Sequence, residues 1–145
     1  MAVGKICTRV THTVDPHESV RAAAQRMDER GVGTLVCVDD DGRPLGVVTD
    51  RDLTTRCTGR GLDADSKEVS EVMSTPPAAV EEQTPIESAL SMMADRGVRR
   101  LVVVDGEGRL VGILSLDDVL ELLVEEVSAI GRILQSQSKP TSRLR

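Results

Sequence analysis

Apolar positions along the chain alternate between two periods. Val20, Ala23, Ala24 and Met27 stand at i, i+3, i+4 and i+7, the spacing that lines one buried face of a helix, and Ile86, Ala89, Leu90 and Met93 repeat it. Gly31 and Gly97 close these patterns, where a helix C-terminus favours glycine. The β-rich runs TLVCV and RLVVV follow. In DDDGRPLGVVT and DGEGRLVGILS, Asp and Gly then signal a turn before a second apolar run, so two strands are expected to pair around each turn. The second strand of each pair leads into Thr49-x-x-Asp52 or Ser115-x-x-Asp118, at the start of a further helix.

These matches share one register. Gly97-Val98 stands 66 residues after Gly31-Val32, and at the same offset Val14 meets Val80, Met27 meets Met93, Asp39 meets Asp105, Gly46 meets Gly112 and Asp52 meets Asp118, without a gap. The chain is therefore read as a first repeat over residues 1–60, a linker over 61–68, a second repeat with an extended closing helix over 69–135, and a mobile tail over 136–145. The linker reading rests on the Gly, Asp and Ser of TGRGLDADSKEVS and on the extended STPP after it. Each repeat alone is about the size at which a core becomes marginal, so the halves are expected to pack together with pseudo-two-fold symmetry.

After Ser115, Leu116, Val119, Leu120, Leu123, Val127, Ile130 and Leu134 extend the helical pattern beyond what the repeat requires. Such a stripe either folds back on its own module or packs on a second copy. A homodimer is expected, because the leftover stripe would otherwise be an apolar patch unusual on a monomer.

Composition narrows the function. A net charge of −6 and the lack of any Phe, Tyr or Trp argue against a nucleic-acid polymer as partner, since neither phosphate neutralisation nor base stacking is provided for. Hydrophobic content is 39% with 29% charge, and no apolar run approaches a membrane span. MAVGKICTRV carries no export signal, so a cytoplasmic location is the expectation. Cys7, Cys37 and Cys57 are widely spaced, odd in number and form no C-x-x-C pair, which fits reduced thiols better than disulfides or a zinc site, and Cys7 with His12 and His17 would supply only three of the four ligands a structural zinc normally takes.

Two readings suit the Thr49-x-x-Asp52 and Ser115-x-x-Asp118 motifs. One is a helix-start capping box, although Glu or Gln is the usual partner there. The other is a nucleotide site, in which the hydroxyl meets phosphate and the carboxylate accepts the ribose hydroxyls. Catalysis is not expected, because neither motif contains a base that would activate a nucleophile.

The repeated helix, paired strands and T/S-x-x-D helix resemble the CBS domain, named for cystathionine β-synthase, and two in tandem resemble a Bateman module. The resemblance implies an α+β fold of two β-α-β-β-α repeats, with short leading strands near residues 10–14 and 78–81. It also implies a stand-alone regulatory or sensor protein binding AMP, ADP, ATP or S-adenosylmethionine between the repeats, the alternative being a ligand-free dimeric scaffold, with an unknown protein partner in either case. By the same resemblance Asp52 and Asp118 match the ribose-binding carboxylate, Thr49 and Ser115 the hydroxyl near phosphate, and Val47 and Ile113 the aliphatic residue against adenine. Cys7, Thr8, Met73 and Ser74 fall where adenine-edge contacts are made. Arg100 matches a phosphate-contacting position; with Arg99 beside it, the second copy is expected to be the better phosphate site, while the first offers Arg51.

Overall fold

The structure is a computed structural model that describes residues 1–9 and 12–138. It contains two three-stranded sheets. In the first, β1 (Thr13–Val14) runs parallel to β2 (Thr34–Val38), which pairs antiparallel with β3 (Pro44–Thr49). In the second, β4 (Ala79–Glu81), β5 (Arg100–Val104) and β6 (Leu110–Ser115) repeat that arrangement. The helices α1 (Val20–Arg30) and α3 (Ile86–Arg96) connect the first two strands of each sheet, and α2 (Asp50–Arg56) and α4 (Leu116–Ser138) follow the third. The expected β-α-β-β-α order is present twice. Both leading strands appear, except that residues 10 and 11 lie outside the described residues. The supposed tail begins as helix, since α4 runs through Ser138; residues 139–145 are likewise outside the described set.

Local chemistry sets the helix ends. The Ser19 side chain accepts the Ala22 N–H at the start of α1, and Gly31 and Gly97 end α1 and α3 at φ of 64° and 63°, a left-handed conformation that costs glycine little. Other donors at the helix starts are met from segments distant in sequence. Val20 and Arg21 donate to the carbonyls of Lys67 and Ala64 at 2.8 and 3.0 Å, and Ile86 donates to Met1 at 3.0 Å. The stretch read as a linker is thus bound to α1.

These bonds belong to a reciprocal exchange. Val3 is fully buried with Val80, Ile86, Ala89, Leu101 and Leu114 of the second half, while Val69 and Val72 are buried with Val14, Val20, Ala23, Leu35 and Val48 of the first. Thr8 pairs with Ile113 through both backbone groups, at 2.9 and 3.0 Å, and Ser74 pairs with Val47 at 2.8 and 3.0 Å. The segment that leads each repeat in sequence therefore completes the core and sheet edge of the other. The hairpin turns also meet, with Leu110 donating to the Gly42 carbonyl at 2.9 Å.

Candidate functional site

Both T/S-x-x-D motifs form complete capping boxes. The Thr49 hydroxyl accepts the Asp52 N–H at 3.2 Å while Asp52 Oδ2 accepts the Thr49 N–H at 2.9 Å. Ser115 and Asp118 do the same at 3.2 and 3.0 Å. Asp serves in the box although its side chain is shorter than that of Glu. The boxes are not equivalent, because Asp52 Oδ1 faces Arg56 Nε at 3.8 Å and the residue at the matching position in the second copy is Leu122.

Beside the first motif lies a cleft of about 590 Å3 between the two halves, within the size range of small-molecule sites. Thr34, Val47, Thr49, Arg51 and Asp52 line it from the first half, Ser74, Pro76, Pro77 and Ala78 from the crossing segment, and residues 96–102 with Ile113 from the second half. The exchange described above closes one wall, since the Ser74 pairing with Val47 holds Pro76 and Pro77 at the rim.

The cleft is electropositive although the chain carries a net charge of −6. Arg51, Arg96, Arg99 and Arg100 line it against the single carboxylate of Asp52. Among the described residues, Arg51, Arg96 and Arg100 have no ion-pair partner. Arg99 sits 3.9 Å from Asp117, a pair exposed enough that screening leaves it weak. The Arg99 carbonyl also accepts the N–H of Leu116, the first residue of α4, at 2.8 Å.

Arg99 and Arg100 require a correction to the sequence reading. The sequence pairs them with Ser115 and Asp118, in whose repeat they stand, yet they line the cleft of Thr49 and Asp52. Arg100 is opposite Ser115 in the β5–β6 ladder, but the cleft forms between halves, so strand β5 faces the motif of the other repeat. Thr49, Asp52, Val47, Arg51, Ser74, Ile113, Arg99 and Arg100 are brought together. Ser115, Asp118, Cys7, Thr8 and Met73 do not line this cleft. Cys7 and Met73 instead pack against the second and first cores, respectively. Residues 10 and 11, which match Pro76 and Pro77 in the repeat register, lie outside the described residues. Sequence reasoning missed Arg96, because its match with Arg30 at the end of the preceding helix marks it as a helix-terminal cation.

Neither Cys7 nor Cys37 is primed for thiolate chemistry. Burial raises the Cys7 thiol above its ordinary range, with Arg9 opposing and Asp118 reinforcing the shift, and burial pushes Cys37 up to about 11. Among the described residues, no group of three or more His, Cys, Asp or Glu side chains is placed to hold a metal ion. No described helix is long and apolar enough to cross a membrane.

Comparison with known proteins agrees with this architecture. The chain belongs to the CBS domain family, matching it over residues 3–59 and again over 69–125, a tandem pair. It is 34% identical to the uncharacterized protein MK0525 of Methanopyrus kandleri over 84% of this chain, and spans 62% of that relative's length. It is 38% identical to the CBS domain-containing protein YhcV of Bacillus subtilis over 74% of each chain. The CBS domain protein PAE2072 from Pyrobaculum aerophilum, solved complexed with AMP, superimposes with a TM-score of 0.73 at 27% identity, over 86% of this chain and 99% of that one.

Proposed function

We propose that this tandem CBS pair is a regulatory module that binds a phosphate-bearing adenosine compound, AMP, ADP or ATP, in the cleft of Thr49 and Asp52. The observation that carries the reading is the ring of four arginines around one carboxylate in a chain of opposite net charge. Guanidinium groups suit phosphate oxygens, Asp52 Oδ1 retains acceptor capacity for ribose hydroxyls, and Val47 and Ile113 offer aliphatic surface to a purine. The AMP complex of the Pyrobaculum relative supports the ligand class. S-adenosylmethionine fits less well, since its cationic sulfonium would enter a positive cleft without phosphate to offset it. The reading is one of binding rather than catalysis. The module would act as a homodimer through α4, transmitting occupancy to a protein partner through dimer shape or docking.

A second reading, a ligand-free scaffold, has one specific observation in its favour. The capping boxes already account for Thr49, Asp52, Ser115 and Asp118 without any ligand.

Calorimetric titration with AMP, ATP and S-adenosylmethionine separates the two. The proposal expects heat with AMP and ATP. It also expects Asp52→Asn to weaken both by about 1.5–3 kcal/mol, typical of hydrogen bonds to a charged group, at little cost in stability. No heat with any of the three compounds would favour the scaffold, and unchanged affinity in Asp52→Asn would confine the carboxylate to its cap.

A further inference from the structure

A nucleotide with more than one phosphate reaches a protein either as the free anion or with a divalent cation on its phosphates. The lining of the Asp52 cleft tells the two forms apart. Sites that take a magnesium nucleotide supply one or two carboxylates to the ion, which otherwise keeps waters and phosphate oxygens as ligands. Here Arg51, Arg96, Arg99 and Arg100 line the cleft with one carboxylate, that of Asp52. Asp117, 3.9 Å from Arg99, does not line it.

Asp52 is itself set against a cation. Its Oδ2 accepts the Thr49 N–H at 2.9 Å, and its Oδ1 lies 3.8 Å from Arg56 Nε. The Arg56 guanidinium is held in place by the crossing segment, donating to the Val72 carbonyl at 3.1 Å and to Ser74 Oγ at 3.4 Å. Oδ1 therefore keeps acceptor capacity for a neutral hydroxyl, while a metal ion there would meet a fifth positive charge. Among the described residues, Arg51, Arg96 and Arg100 have no ion-pair partner. Like charges around one cleft repel each other, and an anion relieves that repulsion more fully the more charge it carries. A divalent cation cancels two charges of the polyphosphate and occupies oxygens that guanidinium forks would otherwise engage.

We infer that the cleft takes ATP or ADP as the metal-free anion and discriminates against the magnesium complex. This rests on the nucleotide reading above and adds the charge state of the ligand. Mg2+ then regulates occupancy: raising it withdraws ATP from the cleft, whereas AMP, whose single phosphate holds magnesium weakly, stays bound.

Calorimetric titration of the full chain with ATP and with AMP, over a range of Mg2+ concentrations at constant ionic strength, tests this. The expected result is that apparent affinity for ATP falls by about tenfold or more between no Mg2+ and excess Mg2+, the scale of one charge-assisted hydrogen bond, while affinity for AMP is unchanged. ATP affinity that rises or holds steady as Mg2+ is added would overturn the inference and leave nucleotide binding standing. An equal loss for ATP and AMP would overturn it too, because Mg2+ would then be acting on the protein rather than on the polyphosphate. No heat with either nucleotide at any Mg2+ concentration would overturn the nucleotide reading itself.

Discussion

Gly112 and Gly46 show how single residues carry the architecture. A Cβ at Gly112 would stand 2.3 Å from the Thr8 carbonyl oxygen, and one at Gly46 would stand 2.7 Å from that of Ser74. Each obstacle includes backbone of the segment crossing from the other repeat, joined at Gly46 by the Met73 sulfur at 2.7 Å, and backbone held by two hydrogen bonds to the neighbouring strand has little room to yield. Gly112→Ala should therefore destabilise the fold by about 1–3 kcal/mol, as overpacking does, measured by denaturant unfolding. Gly106→Ala, with nothing within 4 Å, is the control. Equal midpoints for the two variants would show that Thr8 does not press on Gly112. The equivalence of Gly46 and Gly112 was legible in the sequence. Its cause was not, because the crossing segments lie far from these glycines along the chain.

Among the elements, α4 has the most distinct roles. Its first turn is fixed by the Ser115–Asp118 box and by the bond from Leu116 to Arg99, and its inner stripe joins the second core. The outer stripe is available for assembly. The excess of apolar positions after Leu116 was legible from periodicity alone, but their division into an inner and an outer stripe required the packing. Val127→Asp should convert a dimer to a monomer in light scattering while leaving the unfolding free energy of the monomer within about 0.5 kcal/mol, since Val127 is 66% exposed. A dimer that survives the substitution would exclude α4 as the interface.

The exchange of leading segments ties the cores of the two repeats together, so they are expected to unfold as one cooperative unit. Val3, at the opposite end of the chain from the core it enters, is fully buried there. Val3→Ala should cost about 1–3 kcal/mol and shift a single unfolding transition rather than split it. Two separate transitions would show that the halves fold independently. The same exchange explains why the sequence does not show which motif Arg99 and Arg100 face. The offset of 66 residues shows which positions are equivalent, but not which half faces which, and the two arginines line the cleft of Asp52 rather than that of Asp118 in their own repeat. The motif residues themselves were legible because both copies keep the hydroxyl and the carboxylate in register.

In the proposed site, arginines from the second half meet a phosphate held at the motif of the first. Titrating Arg100→Ala with ATP and with adenosine isolates that contact. Loss of a charge-assisted bond predicts that ATP affinity falls by about tenfold or more while adenosine affinity is unchanged. An equal loss for both ligands, or none for either, would contradict the claim.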